Sequence, residues 1–292
     1  METQFTLKGV TANIHYVYKM RVALFGIHKL LSDSLTELED KGIFPEVVIF
    51  PPFDSPYHRL ASQICERNKI KYIRPSSVKE GSFIDELRDC SIDRIIVTGY
   101  HQIFPKSLLE LAGMGTINCH GGLLPEERGP IPWKWAVYED KPFTGITIHQ
   151  MTERVDEGKV FFRKIIPIDS EETSESLFNK IAQETARIIP CFFDENYADD
   201  YEEQDGNVSK SGYRGQVPVE LCEFDLEQTA LELQRRVRAF SPRPGVYLER
   251  KGRRILVKDV SILTDPSMEG EWILKCSDQN ILVTEFEIAK QE

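Results

Sequence analysis

Residues 21–119 alternate short apolar runs with amphipathic stretches, and this alternation constrains the fold more than any other feature of the chain. The apolar runs predict buried strands at residues 21–26, 45–50, 71–73, 94–98 and 115–119. The stretches between them predict helices at residues 31–41, 55–68, 82–89 and 105–111. Strands that alternate with helices in this way predict an α/β fold, with a mostly parallel sheet covered by helices.

The remainder of the chain predicts a long helix, an acidic segment and a smaller second unit. A strand is expected to start at Thr144, and the long helix covers residues 172–191. Residues 194–205 carry seven acidic side chains, which favours a linker, although a solvated helix end explains the first part equally well. A helix at 225–240 and strands at 246–249, 254–262, 271–275 and 280–286 predict a small barrel-like domain.

These patterns divide the chain into four expected parts. They are an N-terminal extension at 1–19, an α/β catalytic domain at 20–193, an acidic linker at 194–215 and a small barrel-like domain at 216–292. The extension is compatible both with an extra strand and with a disordered segment.

Composition narrows the class of protein. The chain has 292 residues, of which 41% are hydrophobic and 28% charged. No apolar run approaches the roughly 20 residues of a membrane helix, and no signal peptide is visible, so we expect a cytoplasmic protein with no membrane partner. The six cysteines form no Cys-x-x-Cys pair, which gives no reason to expect a metal or a redox motif. A net charge of −11 argues mildly against a nucleic-acid partner.

An amide in the predicted strand at 115–119 is followed by an imidazole directly after the strand and by a carboxylate further along the chain. They belong to Asn118, His120 and Asp156. Open α/β folds bind their ligands at the carboxyl edge of the sheet, so polar groups at that edge are candidates for a functional site. These groups can polarise a carbonyl, accept a proton and support the imidazole. Each also has a structural explanation, as a turn residue or a satisfied histidine. Cys119 should point away from its neighbours into the core, because side chains alternate along a strand.

The motifs of this region resemble the folate-dependent N-formyltransferases, which include methionyl-tRNA formyltransferase and the aminosugar-nucleotide formyltransferases. The resemblance lies in Asn118-x-His120, Leu123-Leu124-Pro125, Arg128-Gly129-Pro130, Thr144-Gly145-x-Thr147 and Asp156-x-Gly158. It covers roughly residues 21–190 and continues more weakly to the C-terminus. It implies a Rossmann-like formyltransferase fold with a C-terminal OB-like barrel.

The resemblance also implies roles for individual residues. Asn118, His120 and Asp156 would form the catalytic triad, and 10-formyltetrahydrofolate would be the co-substrate, with no metal. Folate contacts are expected from Tyr100, His101, Gln102, Ile103, Gly121, Leu123, Leu124, Pro125 and Val155. Substrate contacts are expected from His28, Lys29 and Arg128. Lys29 is equally compatible with an ordinary residue at the start of a helix.

The acceptor amine is less constrained. The transfer RNA enzymes of the family usually carry a basic insertion after the second strand, whereas residues 51–60 contain one arginine and no lysine. We therefore expect a small amine, foremost a nucleotide-linked aminosugar, and a nucleic acid is disfavoured. The initiator transfer RNA, an amino acid and a natural-product amine stay open, as does a homodimer. Two other classes are a formyltetrahydrofolate hydrolase and a non-catalytic folate- or nucleotide-binding module.

Overall fold

The computed structural model describes residues 6–7, 10–11, 20–194 and 212–289. Most of the expected N-terminal extension and of the acidic linker lies outside the described residues. Near the start of the chain, two short strands, β1 (Thr6–Leu7) and β2 (Val10–Thr11), pair antiparallel. No helix within the described ranges is long and apolar enough to cross a membrane.

The first described domain is a seven-stranded sheet with helices on both faces. Its strands are β3 (Val22–Gly26), β4 (Val47–Ile49), β5 (Lys71–Ile73), β6 (Arg94–Thr98), β7 (Thr116–His120), β8 (Phe143–Gln150) and β9 (Val160–Pro167). Its helices are α1 (His28–Asp40), α2 (Pro56–Arg67), α3 (Gly81–Asp89), α4 (Lys106–Leu109), α5 (Pro132–Tyr138) and α6 (Ser174–Ile188). The strand order is β5-β4-β3-β6-β7-β8-β9.

The sheet is parallel from β5 to β7 and antiparallel from β7 to β9. This confirms the expected mostly parallel sheet and adds β9, which the sequence patterns do not indicate. The order reverses between β3 and β6, so the carboxyl ends of these two strands flank the crevice where open α/β folds bind ligands. Alternate residues of β3 enter the two cores, Val22 and Leu24 on one face and Ala23 and Phe25 on the other.

Several helices differ from the expected bounds for identifiable reasons. Helix α6 ends at Ile188 instead of residue 191 and passes into a 3-10 turn, Ile189–Phe193, because Pro190 removes a backbone donor. The C-terminal helix α7 (Ala230–Phe240) begins five residues later than expected, since the Thr229 hydroxyl accepts a hydrogen bond from Glu232 N at 3.1 Å and so caps the helix there.

The C-terminal unit is an antiparallel sheet of four strands in the order β10-β11-β13-β12. The strands are β10 (Val246–Arg250), β11 (Arg253–Leu263), β12 (Ile273–Lys275) and β13 (Asn280–Ile288). Helix α7 packs between this sheet and α5, where Phe240 contacts the rings of Trp135 and Tyr138. One hydrophobic cluster runs through both units, so the C-terminal unit shares a core with the first domain.

We expect Phe240→Ala to lower the free energy of unfolding by about 3–5 kcal/mol, the usual cost of removing a buried phenyl ring. Phe240 is fully buried between the two units. Leu231→Ala, on the same helix but 45% exposed, is the matched control and should cost less than about 0.5 kcal/mol. Urea unfolding of both variants measures this. Equal losses would contradict a shared core at α7.

Candidate active site

Strand β7 presents Asn118 and His120 on one face and Cys119 on the other. Cys119 belongs to the hydrophobic core, as the strand alternation predicts, and burial raises the pKa of its thiol. A buried, protonated thiol on the core side cannot attack a substrate in the cleft. The candidate catalytic groups on this strand are therefore the Asn118 amide and the His120 imidazole.

One hydrogen bond fixes the orientation of His120. Its Nε2 lies 2.6 Å from the backbone carbonyl oxygen of Glu127. Because a carbonyl only accepts, Nε2 carries the proton and donates, which leaves the lone pair of the neutral ring on Nδ1. Nδ1 lies 3.7 Å from Asp156 Oδ1. The orienting contact of His120 is thus the Glu127 carbonyl, and the Asp156 carboxylate faces the nitrogen that gains a proton.

Asp156 is held between two imidazoles. Its Oδ1 lies 3.7 Å from His120 Nδ1 and 3.6 Å from His149 Nε2. Its Oδ2 accepts a hydrogen bond of 3.0 Å from the backbone N–H of Gly129. The backbone of Asp156 has φ +58°, a left-handed conformation that aspartate tolerates better than most residues and that recurs at functional sites.

His149 is a site residue that the sequence patterns do not single out. It lies directly opposite Asn118 in the antiparallel pair β7–β8, and its Nε2 is 3.2 Å from Asn118 Nδ2. His149 Nδ1 donates to the Gln150 carbonyl at 2.8 Å, so Nε2 of the neutral ring accepts from the Asn118 amide. Burial lowers the pKa of His149 and keeps it neutral. His149 thereby determines which end of the Asn118 amide faces it.

The depressed pKa of His149 gives a pH prediction. The unfolded chain titrates this histidine near pH ~6.5, whereas the folded chain takes up the proton only at lower pH. The unfolded state therefore binds more protons in that interval, and the free energy of unfolding falls as the pH drops below about 6.5. We expect His149→Gln to make this fall less steep. Urea unfolding of both proteins at a series of pH values measures the slope, and identical slopes would contradict a neutral buried His149.

Two threonines of the Thr-Gly-x-Thr motif anchor the loop that follows β7. The Thr147 hydroxyl donates to the Gly122 carbonyl at 2.7 Å and accepts from the Leu124 N–H at 3.1 Å. The Thr144 hydroxyl donates to the buried Glu127 carboxylate at 2.6 Å. The motif therefore fixes the loop and, through it, the carbonyl that orients His120.

The Glu127 side chain is the second anchor of this loop. Its carboxylate also accepts from the Leu123 N–H at 2.7 Å and from Lys141 Nζ at 2.8 Å. A buried carboxylate with three such partners is satisfied, so it stabilises the loop without being available for proton transfer.

The glycines of the motifs allow close backbone contacts. Gly129 has φ +118°, and a Cβ there would lie 2.0 Å from the Arg214 carbonyl oxygen. A Cβ at Gly158 would lie 1.9 Å from the Gln150 carbonyl oxygen. Any side chain at these positions would displace the segments that hold Asp156.

The expected folate residues fall into two groups. Ile103 and Val155 are 67% and 51% exposed. Apolar side chains with this exposure are available to contact the flat ring of a ligand. Gln102 and Leu124 are less available to a ligand. The Gln102 side-chain amide accepts from Val78 N–H and donates to the Ser76 carbonyl, and the Leu124 N–H donates to the Thr147 hydroxyl. The remaining expected contacts, which stay predictions, are Tyr100, His101, Gly121, Leu123 and Pro125.

The expected substrate residues are engaged within the protein. Lys29 Nζ pairs with Asp33 at 2.8 Å, and Arg128 is buried and pairs with Glu157 at 3.2 Å. His28 stacks on His58, whose Nε2 accepts from the His28 N–H at 3.0 Å. His28 lies at the start of α1, at the carboxyl edge of β3. It is therefore a better candidate for an acceptor contact than Lys29 and Arg128, whose charges are already paired.

A cavity of about 210 Å³ lies beside the loop after β7 and contains none of the three expected catalytic residues. Its lining is Glu126, Glu127, Arg128, Pro132, Trp135, Glu139, Lys141 and Arg214. Lys141 and Arg214 are already paired with Glu127 and Glu139. Across residues 20–194 and 212–289, no group of three or more His, Cys, Asp or Glu side chains could hold a metal ion.

The arrangement combines an amide donor, a hydrogen-bonded imidazole with an available nitrogen and a buried carboxylate at the carboxyl edge of an α/β sheet. Such a set can stabilise negative charge on a carbonyl oxygen and move one proton, which is the chemistry of acyl transfer to an amine or to water. The fold and site thus define an acyl-transfer type of enzyme.

Comparisons with known proteins specify the family. Residues 20–192 match the formyl transferase family and residues 216–291 match the formyl transferase C-terminal domain. A methionyl-tRNA formyltransferase of Agathobacter rectalis is 31% identical over 253 residues, which cover 84% of this chain and 81% of that protein. The chain belongs to the formyl transferase family, which uses 10-formyltetrahydrofolate as its formyl donor. This confirms the enzyme class and the co-substrate expected from the sequence.

Solved structures show the same fold at low identity. HypX from Aquifex aeolicus matches with a TM-score of 0.66 and 16% identity, over 94% of this chain and 45% of that one, so the chain spans less than half of HypX. An N-formyltransferase from Helicobacter canadensis, in complex with folinic acid and dTDP-3-aminofucose, matches with a TM-score of 0.64 and 17% identity over 90% of this chain and 98% of that one. These likenesses concern the fold alone.

Proposed function

We propose that the protein transfers the formyl group of 10-formyltetrahydrofolate to the primary amine of a small, nucleotide-linked aminosugar. The amine nitrogen bonds to the formyl carbon, the bond from that carbon to N10 of the folate breaks, and one proton passes from the amine to N10. The observation that supports acyl transfer is the convergence of Asn118, His120 and Asp156 around one point of the sheet edge.

Each residue has a role that its contacts support. An amide Nδ2 carries two hydrogens, and the bond to His149 uses one of them, so Asn118 can direct the other at the formyl oxygen as charge develops there. His120 accepts the amine proton at Nδ1, since Nε2 is committed to the Glu127 carbonyl. Asp156 stabilises the resulting imidazolium and accepts a hydrogen bond from the Gly129 N–H, which orients its carboxylate.

The acceptor class rests on the loop between β4 and α2. It comprises only residues 50–55 and contains no lysine or arginine. Two basic residues of the C-terminal hairpin do not compensate, because Lys251 pairs with Glu271 at 2.7 Å and Arg254 pairs with Glu223 at 2.8 Å. Recognition of transfer RNA requires basic groups that neutralise several phosphates. The complex of the Helicobacter canadensis N-formyltransferase with dTDP-3-aminofucose supports an aminosugar nucleotide as the acceptor.

A second acceptor is favoured by a specific observation. The Agathobacter rectalis relative is named methionyl-tRNA formyltransferase and aligns over most of both chains. Initiator transfer RNA is therefore the alternative acceptor for the same chemistry.

Kinetics with both acceptors distinguish the two proposals. The protein is supplied with 10-formyltetrahydrofolate and either dTDP-3-aminofucose or methionyl-tRNA, and formylated product is quantified. We expect a kcat/KM for the aminosugar nucleotide at least about tenfold above that for methionyl-tRNA at moderate salt, where electrostatic RNA binding is weakened. Efficient formylation of methionyl-tRNA with an inert aminosugar would make the transfer RNA the acceptor.

A further inference from the structure

Lys134 and Arg243 are two cations with no carboxylate ion pair in the part of the chain that the structure describes. Lys134 is the third residue of α5, and Arg243 lies in the segment between α7 and β10. Lys134 Nζ donates a hydrogen bond to the backbone carbonyl of Arg243, which fastens this C-terminal segment to the start of α5. The Arg243 residue itself is exposed. The junction of the two units therefore carries two adjacent positive groups.

This junction lies at the same sheet edge as the catalytic candidates. Gly26 of β3 pairs with Thr98 of β6, and Val97 of β6 pairs with Asn118 of β7. With about 4.8 Å between neighbouring strands, the ends of β3 and β7 are about 10 Å apart. Helix α1, which begins with His28, starts at the first of these ends, and the loop 121–131 leads from the second end to α5, which carries Lys134 in its first turn.

The charge of Arg243 acts on both His28 and Lys134. Burial is the main cause that lowers the pKa of His28, and the Arg243 charge lowers it further. Burial also lowers the pKa of Lys134, Glu175 raises it, and Arg243 lowers it again. The Arg243 guanidinium thus lies within electrostatic reach of the first turns of α1 and α5. Two neighbouring positive charges repel each other, and a bound anion would relieve this repulsion.

The other cations considered for the acceptor are neutralised. Lys29 pairs with Asp33, and Arg128 pairs with Glu157. An anionic acceptor group would have to displace a carboxylate from either one. Lys134 and Arg243 impose no such exchange, and a guanidinium beside an ammonium matches the oxygens of a phosphate.

Resting on the proposed function, we propose that Lys134 and Arg243 form a subsite that binds a phosphate of the nucleotide-linked acceptor while its amine faces His120. The C-terminal unit would then contribute to acceptor recognition through Arg243. The subsite is a binding feature and takes no part in proton transfer.

Binding of inorganic pyrophosphate, measured by calorimetry, tests the subsite without any turnover. We expect saturable binding to the wild-type protein and about ten- to a hundredfold weaker binding to Lys134→Gln and Arg243→Gln, as for the loss of a charged hydrogen bond. Arg243→Lys should fall between Arg243→Gln and wild type. Lys251→Gln removes a paired lysine of the C-terminal hairpin and should bind like wild type. Equal affinity in all the variants, or no saturable binding to the wild type, would overturn the subsite.

Acceptor kinetics separate the subsite from the proposed function. With dTDP-3-aminofucose, Lys134→Gln and Arg243→Gln should raise KM about tenfold or more and change kcat little, whereas 3-aminofucose without the nucleotide should show no such difference. Wild-type turnover with unchanged KM in both variants would overturn the subsite and leave the function intact. A wild-type protein that binds pyrophosphate but formylates neither acceptor, with binding weakened in the two variants, would overturn the proposed function and leave the subsite intact. A KM that rises only for methionyl-tRNA would contradict a small nucleotide as occupant.

Discussion

His120→Ala is expected to lower kcat for formyl transfer by about 10²–10⁴-fold, the range that a general acid–base group contributes. The reason is that Nδ1 of His120 is the nitrogen left with a lone pair once Nε2 donates to the Glu127 carbonyl, and Nδ1 faces Asp156. Tetrahydrofolate release under saturating substrates measures kcat. Folate affinity, followed by fluorescence quenching, should change little, because the expected folate contacts are elsewhere.

Cys119→Ala is the matched control for His120→Ala. It changes the adjacent residue of the same strand, whose side chain lies in the core. Its kcat should stay within about threefold of wild type. A His120→Ala enzyme that retained more than a tenth of wild-type kcat would remove His120 from the proton-transfer role.

Asp156→Asn is expected to lower kcat by about 10²-fold or more while the protein stays folded. Asparagine tolerates the left-handed backbone of this position and can still accept from the Gly129 N–H, so the change removes mainly the charge. Without that charge the protonated His120 loses its stabilising carboxylate. Steady-state kinetics and a thermal melt are the two measurements.

Glu153→Gln provides the comparison for Asp156→Asn. It neutralises an exposed carboxylate of the segment that precedes Asp156 and should leave kcat unchanged. Similar losses in both variants would indicate a general electrostatic effect of the segment. A wild-type kcat in Asp156→Asn would contradict the role given to this carboxylate.

The strands were predictable because their signals are local, whereas the catalytic roles of Asn118, His120 and Asp156 were expected from the family resemblance and stay predictions. Apolar runs such as the one in β6 indicate buried strands, and the alternation on β7 separates Asn118 and His120 from Cys119. His149 could not be found in this way, because its importance depends on being opposite Asn118 across an antiparallel pair. The antiparallel direction of β8 follows from tertiary packing.

For the expected substrate residues, the sequence indicates the charge of a side chain but not the residue that pairs with it. Lys29 and Arg128 have the right charge and lie near the right motifs, yet Asp33 and Glu157 pair with them. The Lys29–Asp33 pair is spaced i,i+4 on a helix and could have been anticipated from that spacing. Lys134 and Arg243 are 109 positions apart in sequence, and only the packing of α5 against the C-terminal segment brings them together. A local pattern identifies a cation but not its partner.

The most direct test of the central claim is the fate of the formyl carbon. Wild-type protein is incubated with ¹³C-formyl-labelled 10-formyltetrahydrofolate and the amine acceptors described above, and carbon NMR follows the label. We predict one formamide formed on the amine for every tetrahydrofolate released, and formamide formation slowed by about a hundredfold or more with His120→Ala. Release of labelled formate without a formamide would mean transfer to water, as in a hydrolase, and would contradict an N-formyltransferase built on Asn118, His120 and Asp156.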